Sequence, residues 1–315
     1  MTGIALVACG RLGGYMVTGG DGTVVSERLS ANGSQLVAEP RPETTDAVLV
    51  LEGVGVRFGG IKALDDVSHT VPRGLVCGLI GPNGAGKTTL FDVISGVRTP
   101  NDGTVRFDGK DTTRQSSVAR ARRGLRRTFQ RVQTFGWLSV EDNVLAATEW
   151  RGGGGGMLAD FVQFPTRRSR ERERRERVGE VLEQCGLTAV RQDPVGSLPI
   201  GLARMVEFAR AIVDEPKLLL LDEPTSGLDE VESERLVEQL RRLRTTTSCS
   251  VILVEHDMGF VMDQCDVVTV LDLGRVLTTG APKDIQADPV VRAAYLGERP
   301  ARAKSSKSQP QGGKQ

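Results

Sequence analysis

From about residue 47 onward, apolar and polar positions predict strands and helices in alternation. Residues 48–58 follow a period of two, which predicts a strand with Val50, Val54, Val56 and Phe58 on one face. Short apolar runs predict further strands at 67–71, 75–80, 104–107, 218–221 and 251–254. Helical patterns cover 88–95, 117–123 and 166–185, the last followed by a glycine typical of a helix end. The alternation favours an α/β fold with a largely parallel sheet, whose ligands bind at the carboxyl ends of its strands.

Residues 81–88 form a glycine-rich loop between a predicted strand and a predicted helix. They match the phosphate-binding pattern G-x-x-x-x-G-K-[ST] at every fixed position. Glycines let several N–H groups converge on one phosphate, and the helix N-terminus adds partial positive charge. Lys87 is placed to reach the β- and γ-phosphates, Thr88 to put a hydroxyl on Mg²⁺, and Thr89 to support a neighbouring phosphate. The predicted nucleotide-binding residues are Gly81, Pro82, Asn83, Gly84, Ala85, Gly86, Lys87, Thr88 and Thr89.

Acidic residues follow two of the buried strands. Four leucines end in Asp222 and Glu223, of which the first is placed to reach the Mg²⁺ shell and the second to polarise an attacking water. The run 251–254 ends in Glu255-His256-Asp257, which places His256 beside a γ-phosphate. Taken alone, a solvated acidic turn and a structural histidine would explain both patterns. The phosphate loop favours the catalytic interpretation.

Composition limits the remaining possibilities. The 41 basic and 40 acidic residues nearly cancel, so net charge argues neither for nor against a nucleic-acid partner. Aromatic residues make up only 4% of the chain, which predicts an aliphatic core. Five cysteines, odd in number and without C-x-x-C spacing, predict reduced thiols. No apolar run is long enough to span a bilayer, so any membrane crossing is expected to come from other chains.

Several segments lie outside the predicted core. Residues 1–46 are expected to be a disordered extension or to follow a misassigned start, and residues 299–315 a disordered polar tail. Five glycines at 152–156 predict a flexible loop. The basic run at 167–177 is expected to pair on one helix face, through Glu171–Arg175 and Glu173–Arg177.

The ordered motifs resemble those of the ATP-binding subunits of ABC transporters, over residues 47–298. The matching segments are 81–88, Thr128-Phe129-Gln130, Leu198-Pro199-Ile200-Gly201, Leu221-Asp222-Glu223-Pro224-Thr225, Ser226-Gly227-Leu228-Asp229 and Glu255-His256-Asp257. The resemblance implies a P-loop NTPase fold of the ABC ATPase type. Such a fold has a mostly parallel sheet core, an antiparallel β part and an inserted helical subdomain, here at about 136–213. ATP and Mg²⁺ are the implied cofactors.

The resemblance also implies roles for single residues. Pattern alone favours Phe58 as a core aromatic, whereas the family match makes it the ring that stacks on adenine. Gln130 matches a residue that touches Mg²⁺ and water, and Asp229 one that links the two halves of a dimer. The implied catalytic residues are Glu223 as general base, His256 at the γ-phosphate and Gln130. The implied metal ligands are Thr88, Gln130 and Asp222.

Finer features resemble the branched-chain amino-acid importer type. They are Arg57-Phe58-Gly59-Gly60, Arg127-Thr128-Phe129-Gln130, Glu255-His256-Asp257-Met258 and Ala294-Tyr295-Leu296-Gly297. That type implies two permease subunits, a second ATPase subunit or a second copy, an extracytoplasmic binding protein and no nucleic acid. It also implies a place at the cytoplasmic face of the membrane, held by the permeases. Importers of urea or short amides, and soluble ABC ATPases, are the alternatives; the single motif set without a heptad run disfavours the latter.

The signature segment departs from the family pattern Leu-Ser-Gly-Gly-Gln. Here it is Leu198-Pro199-Ile200-Gly201-Leu202, and proline has neither a hydroxyl nor a backbone N–H. Gly201 and the helix after it still offer N–H groups to a phosphate in trans. The departure therefore predicts weakening of the ATP site on the partner subunit, not of the site on this chain.

Overall fold

The computed structural model describes residues 16–18, 24–26, 46–148 and 164–296, which divide into two units at 1–42 and 43–315. In the first unit, β1 (Met16–Thr18) pairs antiparallel with β2 (Val24–Ser26). The rest of the predicted N-terminal extension, the glycine run at 152–156 and the C-terminal tail lie outside the described residues.

The second unit alternates strands and helices along the chain. Its strands are β3 (Ala47–Phe58), β4 (Ile61–Pro72), β5 (Val76–Ile80), β6 (Asp102–Phe107), β7 (Lys110–Asp111), β8 (Leu125–Arg127), β9 (Leu218–Asp222), β10 (Ser250–Val254), β11 (Val267–Asp272) and β12 (Arg275–Gly280). Its helices are α1 (Lys87–Ser95), α2 (Ser117–Arg122), α3 (Val140–Ala146), α4 (Phe164–Gln184), α5 (Ile200–Ile212), α6 (Glu230–Thr246), α7 (Met258–Gln264), α8 (Pro282–Ala287) and α9 (Pro289–Leu296).

A six-stranded sheet in the order β12-β11-β5-β10-β9-β8 forms the centre of this unit. Adjacent strands of this sheet pair in parallel, except that β12 is antiparallel to β11. Strands β5, β9 and β10 are buried throughout, as their uninterrupted apolar runs predict. Because they run the same way, the segments after them meet at one edge of the sheet. The predicted fold class is confirmed.

A second, antiparallel sheet has the order β4-β3-β6-β7. In β3, a bulge with Gly53 at φ 61° shifts the pairing with both neighbours. Leu51 before the bulge and Val54 after it are therefore buried together, while Val50 is half-buried and Phe58 exposed. The prediction that Val50, Val54, Val56 and Phe58 share one face is wrong, because the bulge at Gly53 separates Val50 from buried Val54 and Val56, and a further register shift after Val56 precedes exposed Phe58.

Aliphatic side chains on the two faces of the parallel sheet form two hydrophobic clusters. Leu219 and Leu221 point into one cluster, which they share with Val206 of α5 and Leu240 of α6. The alternate leucines of β9 point into the other cluster, with α1 and the antiparallel sheet. The four leucines thus fix β9 from both faces.

Helices α3, α4 and α5 lie within the segment predicted as the helical subdomain, and they pack through buried Val144, Leu182 and Val206. On α4, Glu171 pairs with Arg175 at 2.9 Å as predicted. Arg177 instead lies 2.6 Å from Glu215, so the predicted pair with Glu173 is wrong. The reason is that Arg177 also donates to the carbonyl of Val213, which turns it toward the body of the unit.

Two further expectations concern thiols and membranes. The four cysteines within the described residues are buried and free, and burial raises the pKa of each thiol to about 12. They carry no thiolate at neutral pH, as expected for structural cysteines. Within the described ranges, every helix is too short or too polar to cross a bilayer.

Arg120 is a fully buried arginine, 0% exposed, that closes the end of α1. Its guanidinium donates to the carbonyls of Val93 at 2.6 Å and Ile94 at 2.7 Å, in the last turn of α1, and to Thr112 at 2.7 Å. Burial lowers its pKa to about 10, which leaves the side chain charged at neutral pH. Since helix C-termini leave carbonyls without partners, Arg120 anchors the helix that begins at the phosphate loop.

We predict that Arg120→Met lowers the free energy of unfolding by about 3 kcal/mol, because several buried carbonyls lose a charged donor. Urea denaturation measures the loss. The matched control is Arg122→Met, on the same helix but exposed, which is expected to stay within about 0.5 kcal/mol of wild type. Equal stability of the two variants would contradict the anchoring role.

Candidate active site at the carboxyl edge of the parallel sheet

The glycine-rich loop between β5 and α1 depends on glycine at two positions. Gly81 has φ 154°, and a Cβ there would lie 2.1 Å from the carbonyl oxygen of Leu271. Gly86 has φ 105°, and its Cβ would lie 2.7 Å from the carbonyl oxygen of Ala63. Both the backbone conformation and the close approach of neighbouring backbone exclude a side chain. The loop is therefore held in a tight curve against the ends of β11 and β4.

The N-terminus of α1 is open toward this loop. The residue before it, Gly86, has no side chain to cap the helix, and the first turn contains no acidic residue among those described. Thr88 is exposed in that turn. The N–H groups and the positive end of the helix dipole are therefore available to an anion.

Lys87 is the first residue of α1, and its side chain folds back over the loop. Its ammonium donates to the carbonyls of Gly81 at 2.6 Å and Pro82 at 3.1 Å. Burial lowers the pKa of Lys87, and the carboxylates of Glu223 and Asp222 oppose that shift. A cation is thus held beside both the loop and the acidic strand end.

Glu223 lies directly after β9 and is bonded through both carboxylate oxygens. Gln130 donates its amide N–H to Oε2 at 3.0 Å, and His256 Nε2 lies 2.9 Å from Oε1. Its backbone N–H donates to the carbonyl of Val254 at 2.9 Å. Glu223 has φ 48°, a conformation that costs a non-glycine residue about 1–3 kcal/mol and is concentrated at functional sites.

Asp222 is the last residue of β9 and is 6% exposed. Burial raises its pKa, and the neighbouring Arg127 acts in the opposite direction, with its guanidinium 3.2 Å from Oδ2. Arg127 also lies 2.6 Å from Asp92 of α1, so it ties the phosphate-loop helix to the strand end. We did not predict this role of Arg127 from the sequence, because only the folded chain brings it to Asp222.

These groups surround a cavity of about 310 Å³. Its lining contains most of the predicted site: Asn83, Gly84, Ala85, Gly86, Lys87, Thr88, Thr89, Gln130, Asp222, Glu223 and His256. The oxygens of Thr88, Gln130 and Asp222 are the hard ligands that Mg²⁺ prefers, and the loop amides with Lys87 match a polyphosphate. The donor set therefore fits Mg·ATP.

Phe58 lies outside the cavity lining. Its ring is 43% exposed at the end of β3, and the guanidinium of Arg98 lies 4.2 Å from the ring centroid. The exposure excludes the alternative of an ordinary core aromatic. One ring face is covered by Arg98, and the exposed remainder is accessible to a stacking partner.

Gly201 and Asp229 lie together outside the cavity lining. Asp229 caps α6, accepting from the N–H of Glu232 at 2.8 Å, while Glu232 accepts from the N–H of Asp229 at 3.0 Å. A Cβ at position 201 would lie 1.9 Å from the Glu232 carboxylate, so this carboxylate packs directly against the backbone of Gly201. The structure thus gives Asp229 a capping role within its own chain.

Pro199 is the residue before α5, and none of the described side chains caps that helix N-terminus. Ile200, the first residue of α5, is exposed. The departure from the signature pattern therefore lies at a surface helix end whose N–H groups are uncapped.

Comparison with known proteins gives consistent matches. The ABC transporter family model matches residues 64–226, and a model for the branched-chain amino acid ATP-binding cassette transporter matches 275–301. The chain is 37% identical to the high-affinity branched-chain amino acid transport ATP-binding protein BraF of Pseudomonas aeruginosa, over 80% of this chain and 98% of the relative. It is 35% identical to the high-affinity branched-chain amino acid transport ATP-binding protein LivG of Escherichia coli, over 80% of this chain and 98% of LivG. A solved nucleotide-free ATP-binding cassette from an ABC transporter superposes with a TM-score of 0.68 at 29% identity, over 79% of this chain and 98% of that chain.

We predict that Lys87→Ala weakens ATP binding by about 10- to 100-fold, because a charge-assisted bond to phosphate contributes about 1.5–3 kcal/mol. Calorimetric titration with ATP measures the dissociation constant. Lys62→Ala, which removes an exposed lysine paired with Asp65, is the control and is expected to bind as wild type. Unchanged affinity in Lys87→Ala would reject the role.

Proposed function

Because the chain belongs to the family of ABC transporter ATP-binding subunits, whose members hydrolyse ATP to power transport, we propose that it drives a branched-chain amino-acid importer from the site at its sheet edge. The observation that carries this proposal is Glu223, held through both carboxylate oxygens beside the cavity that contains Lys87. The site has an acceptor for a proton and a cradle for phosphates within one space.

The chain binds the nucleotide through groups at four places. The backbone N–H groups of residues 83–86 and the N-terminus of α1 hold the phosphates, and Lys87 neutralises their charge. Thr88, Gln130 and Asp222 would hold Mg²⁺, which would neutralise charge on the phosphate oxygens when bound. Phe58 stacks on the adenine ring with Arg98 behind it.

Glu223 acts as the general base. Its carboxylate accepts a proton from the attacking water, while Gln130 and His256 hold both of its oxygens in place. His256, which is exposed toward the cavity, also reaches the γ-phosphate. Since the carboxylate is fixed before the reaction, its orientation costs little at the transition state.

Transport requires other subunits. ABC ATP-binding subunits of transport systems pair with membrane permeases, and we propose that this chain attaches to the cytoplasmic face of the membrane through two of them. A second ATPase subunit and an extracytoplasmic binding protein complete the assembly. Asp229 and Gly201 face the second ATPase, where Gly201 and the uncapped N-terminus of α5 meet the ATP of the partner.

The substrate class rests on the match at residues 275–301 and on the branched-chain amino acid transport for which the relatives are named. The test is ATP-dependent uptake by the complete transporter in proteoliposomes with its binding protein. Uptake of leucine, isoleucine or valine is expected, and uptake of urea or a short amide alone would replace the substrate assignment. Lack of association with any permease would favour a soluble ABC ATPase.

We predict that Glu223→Gln keeps ATP binding and lowers turnover by about 10²- to 10⁴-fold, since the amide fills the same space and accepts no proton. ATP hydrolysis by the assembled transporter measures turnover, and a separate titration measures binding. The matched control is Glu230→Gln, an exposed glutamate at the start of α6. Near wild-type hydrolysis in Glu223→Gln would exclude the general base.

We further predict that the two ATP sites of the assembly are unequal. ATP bound at Lys87 faces the signature of the second ATPase, whereas ATP on that subunit faces Pro199, which lacks a hydroxyl donor. The loss of one neutral hydrogen bond costs about 0.5–1.5 kcal/mol, so the second site is weakened and not abolished.

The measurement compares glutamate-to-glutamine changes made in one ATPase subunit at a time. Glu223→Gln is expected to reduce turnover of the complex more than the equivalent change in the second subunit. Equal losses would show that Pro199 is harmless to the partner site.

A further inference from the structure

Three polar side chains of α5 point at the loop that carries Gln130. Arg204, Glu207 and Arg210 are spaced three residues apart, so they lie along one face of the helix. Each of them bonds to the backbone of residues 129–133 or of Glu223. We call this row of three residues the α5 clamp.

Arg204 connects the two residues that hold each other at the site. One terminal nitrogen of its guanidinium donates to the carbonyl of Glu223 at 3.3 Å, and the other donates to the carbonyl of Gln130 at 3.1 Å. The side chains of the same two residues are bonded at 3.0 Å. A rigid planar fork therefore fixes the backbone on both sides of the Gln130–Glu223 bond.

Glu207 holds the loop on either side of Gln130. Its Oε1 accepts from the N–H of Phe129 at 3.4 Å and from the N–H of Gln133 at 3.3 Å. The residue is only 7% exposed; burial raises its pKa, and these two N–H groups oppose the shift. A carboxylate buried at this point needs such partners, and it restricts the loop in return.

Arg210 completes the row at the far end of the loop. It donates to the carbonyl of Gln133 and lies 5.2 Å from the ring centroid of Phe135. At the other end, α5 begins only four residues before Arg204, close to the point where Gly201 contacts Glu232. The clamp therefore links the Gln130–Glu223 pair to the exposed N-terminus of α5.

We propose that Arg204 and Glu207 are positioning residues for ATP hydrolysis, which hold Gln130 against Glu223 and make this pair move with the N-terminus of α5. The inference rests on the proposed function, because it assigns the two residues an effect on turnover. Neither residue needs to touch the nucleotide. Arg204 acts through the backbone of Gln130 and Glu223, and Glu207 acts through the loop residues on either side of Gln130.

The first experiment measures kcat and KM for ATP in the assembled transporter. Arg204→Met and Glu207→Ala are expected to lower kcat at least about 10-fold, because small displacements of reacting groups cost large factors in rate. KM is expected to stay within about 3-fold, since the phosphate loop is untouched. Glu207→Gln keeps an acceptor oxygen and is expected to restore most of kcat. Arg204→Lys restores little, because an ammonium is a compact donor without the fork.

The matched control is Val206→Ala. Val206 is buried on α5 between Arg204 and Glu207 and packs into the core cluster with Leu221 and Leu240. The Tm of each variant is measured together with its kcat, so that each loss of kcat is compared with the loss of stability in the same variant. If kcat falls as much in Val206→Ala as in Glu207→Ala, the effect is one of general stability and the proposal is wrong. Wild-type kcat in both Arg204→Met and Glu207→Ala would also overturn it.

The second experiment needs no turnover. Hydrogen exchange of the amides of Phe129 and Gln133, measured on the isolated chain, is expected to speed up at least about 10-fold in Glu207→Ala and to stay unchanged in Val206→Ala. Unchanged exchange in Glu207→Ala would overturn the clamp. A wild-type complex without ATPase activity would instead contradict the proposed function, while the exchange result still decides whether Glu207 holds the loop.

Discussion

The register of the parallel strands β5, β10 and β9 is the constraint on which the site depends. Val254 pairs with Asp222, and the N–H of Glu223 donates to the carbonyl of Val254, so the pairing continues one residue beyond the strand. All three strands are buried on both faces by aliphatic side chains. A slip of one residue would move charged Lys217 or Asp222 into a buried leucine position of β9, so the charged residues at the two ends of the leucine run fix the register and with it the position of both carboxylates. Chemistry at the sheet edge is therefore held in place by the core.

The site also requires compensating positive charge, because the carboxyl edge of the parallel sheet places acidic side chains where they are partly buried. Burial raises the pKa of Asp222, and Arg127 opposes this shift from between Asp222 and Asp92. Lys87 approaches from the loop, where its charge interacts with both carboxylates. Removing one partner from such an arrangement leaves an uncompensated charge, so these residues depend on each other. A bound nucleotide and cation add charges of both signs to a site that already balances them.

The parts of the site that the sequence predicts are those encoded by local pattern. The spacing of Gly81, Gly86 and Lys87 specifies the loop, and apolar runs that end in Asp222 or His256 specify the sheet edge. The missed features have no such signal. Arg120 reaches α1 across 27 residues of sequence, and Arg127 reaches Asp222 across 95, so only the tertiary fold brings them together. The bulge at Gly53 is a failure of the opposite kind, in which a local pattern was present but misleading. The alternation looked regular, and one inserted residue with positive φ changed which side chains share a face. Arg204 and Glu207 were hidden for a related reason, because their partners are backbone groups of distant loops, which carry no side-chain pattern.

The measurement that tests this account most directly is a crystal structure of the chain with Mg²⁺ and a non-hydrolysable ATP analogue. The account predicts the β- and γ-phosphates over the loop 81–86 with Lys87 Nζ in contact, and the metal ion between Thr88 and Asp222. It also predicts a water between the γ-phosphate and Glu223, with Gln130 still bonded to the carboxylate. A nucleotide bound elsewhere, or phosphates in the loop with Glu223 turned away from the γ-phosphate, would contradict the central claim that the sheet register positions this glutamate for hydrolysis.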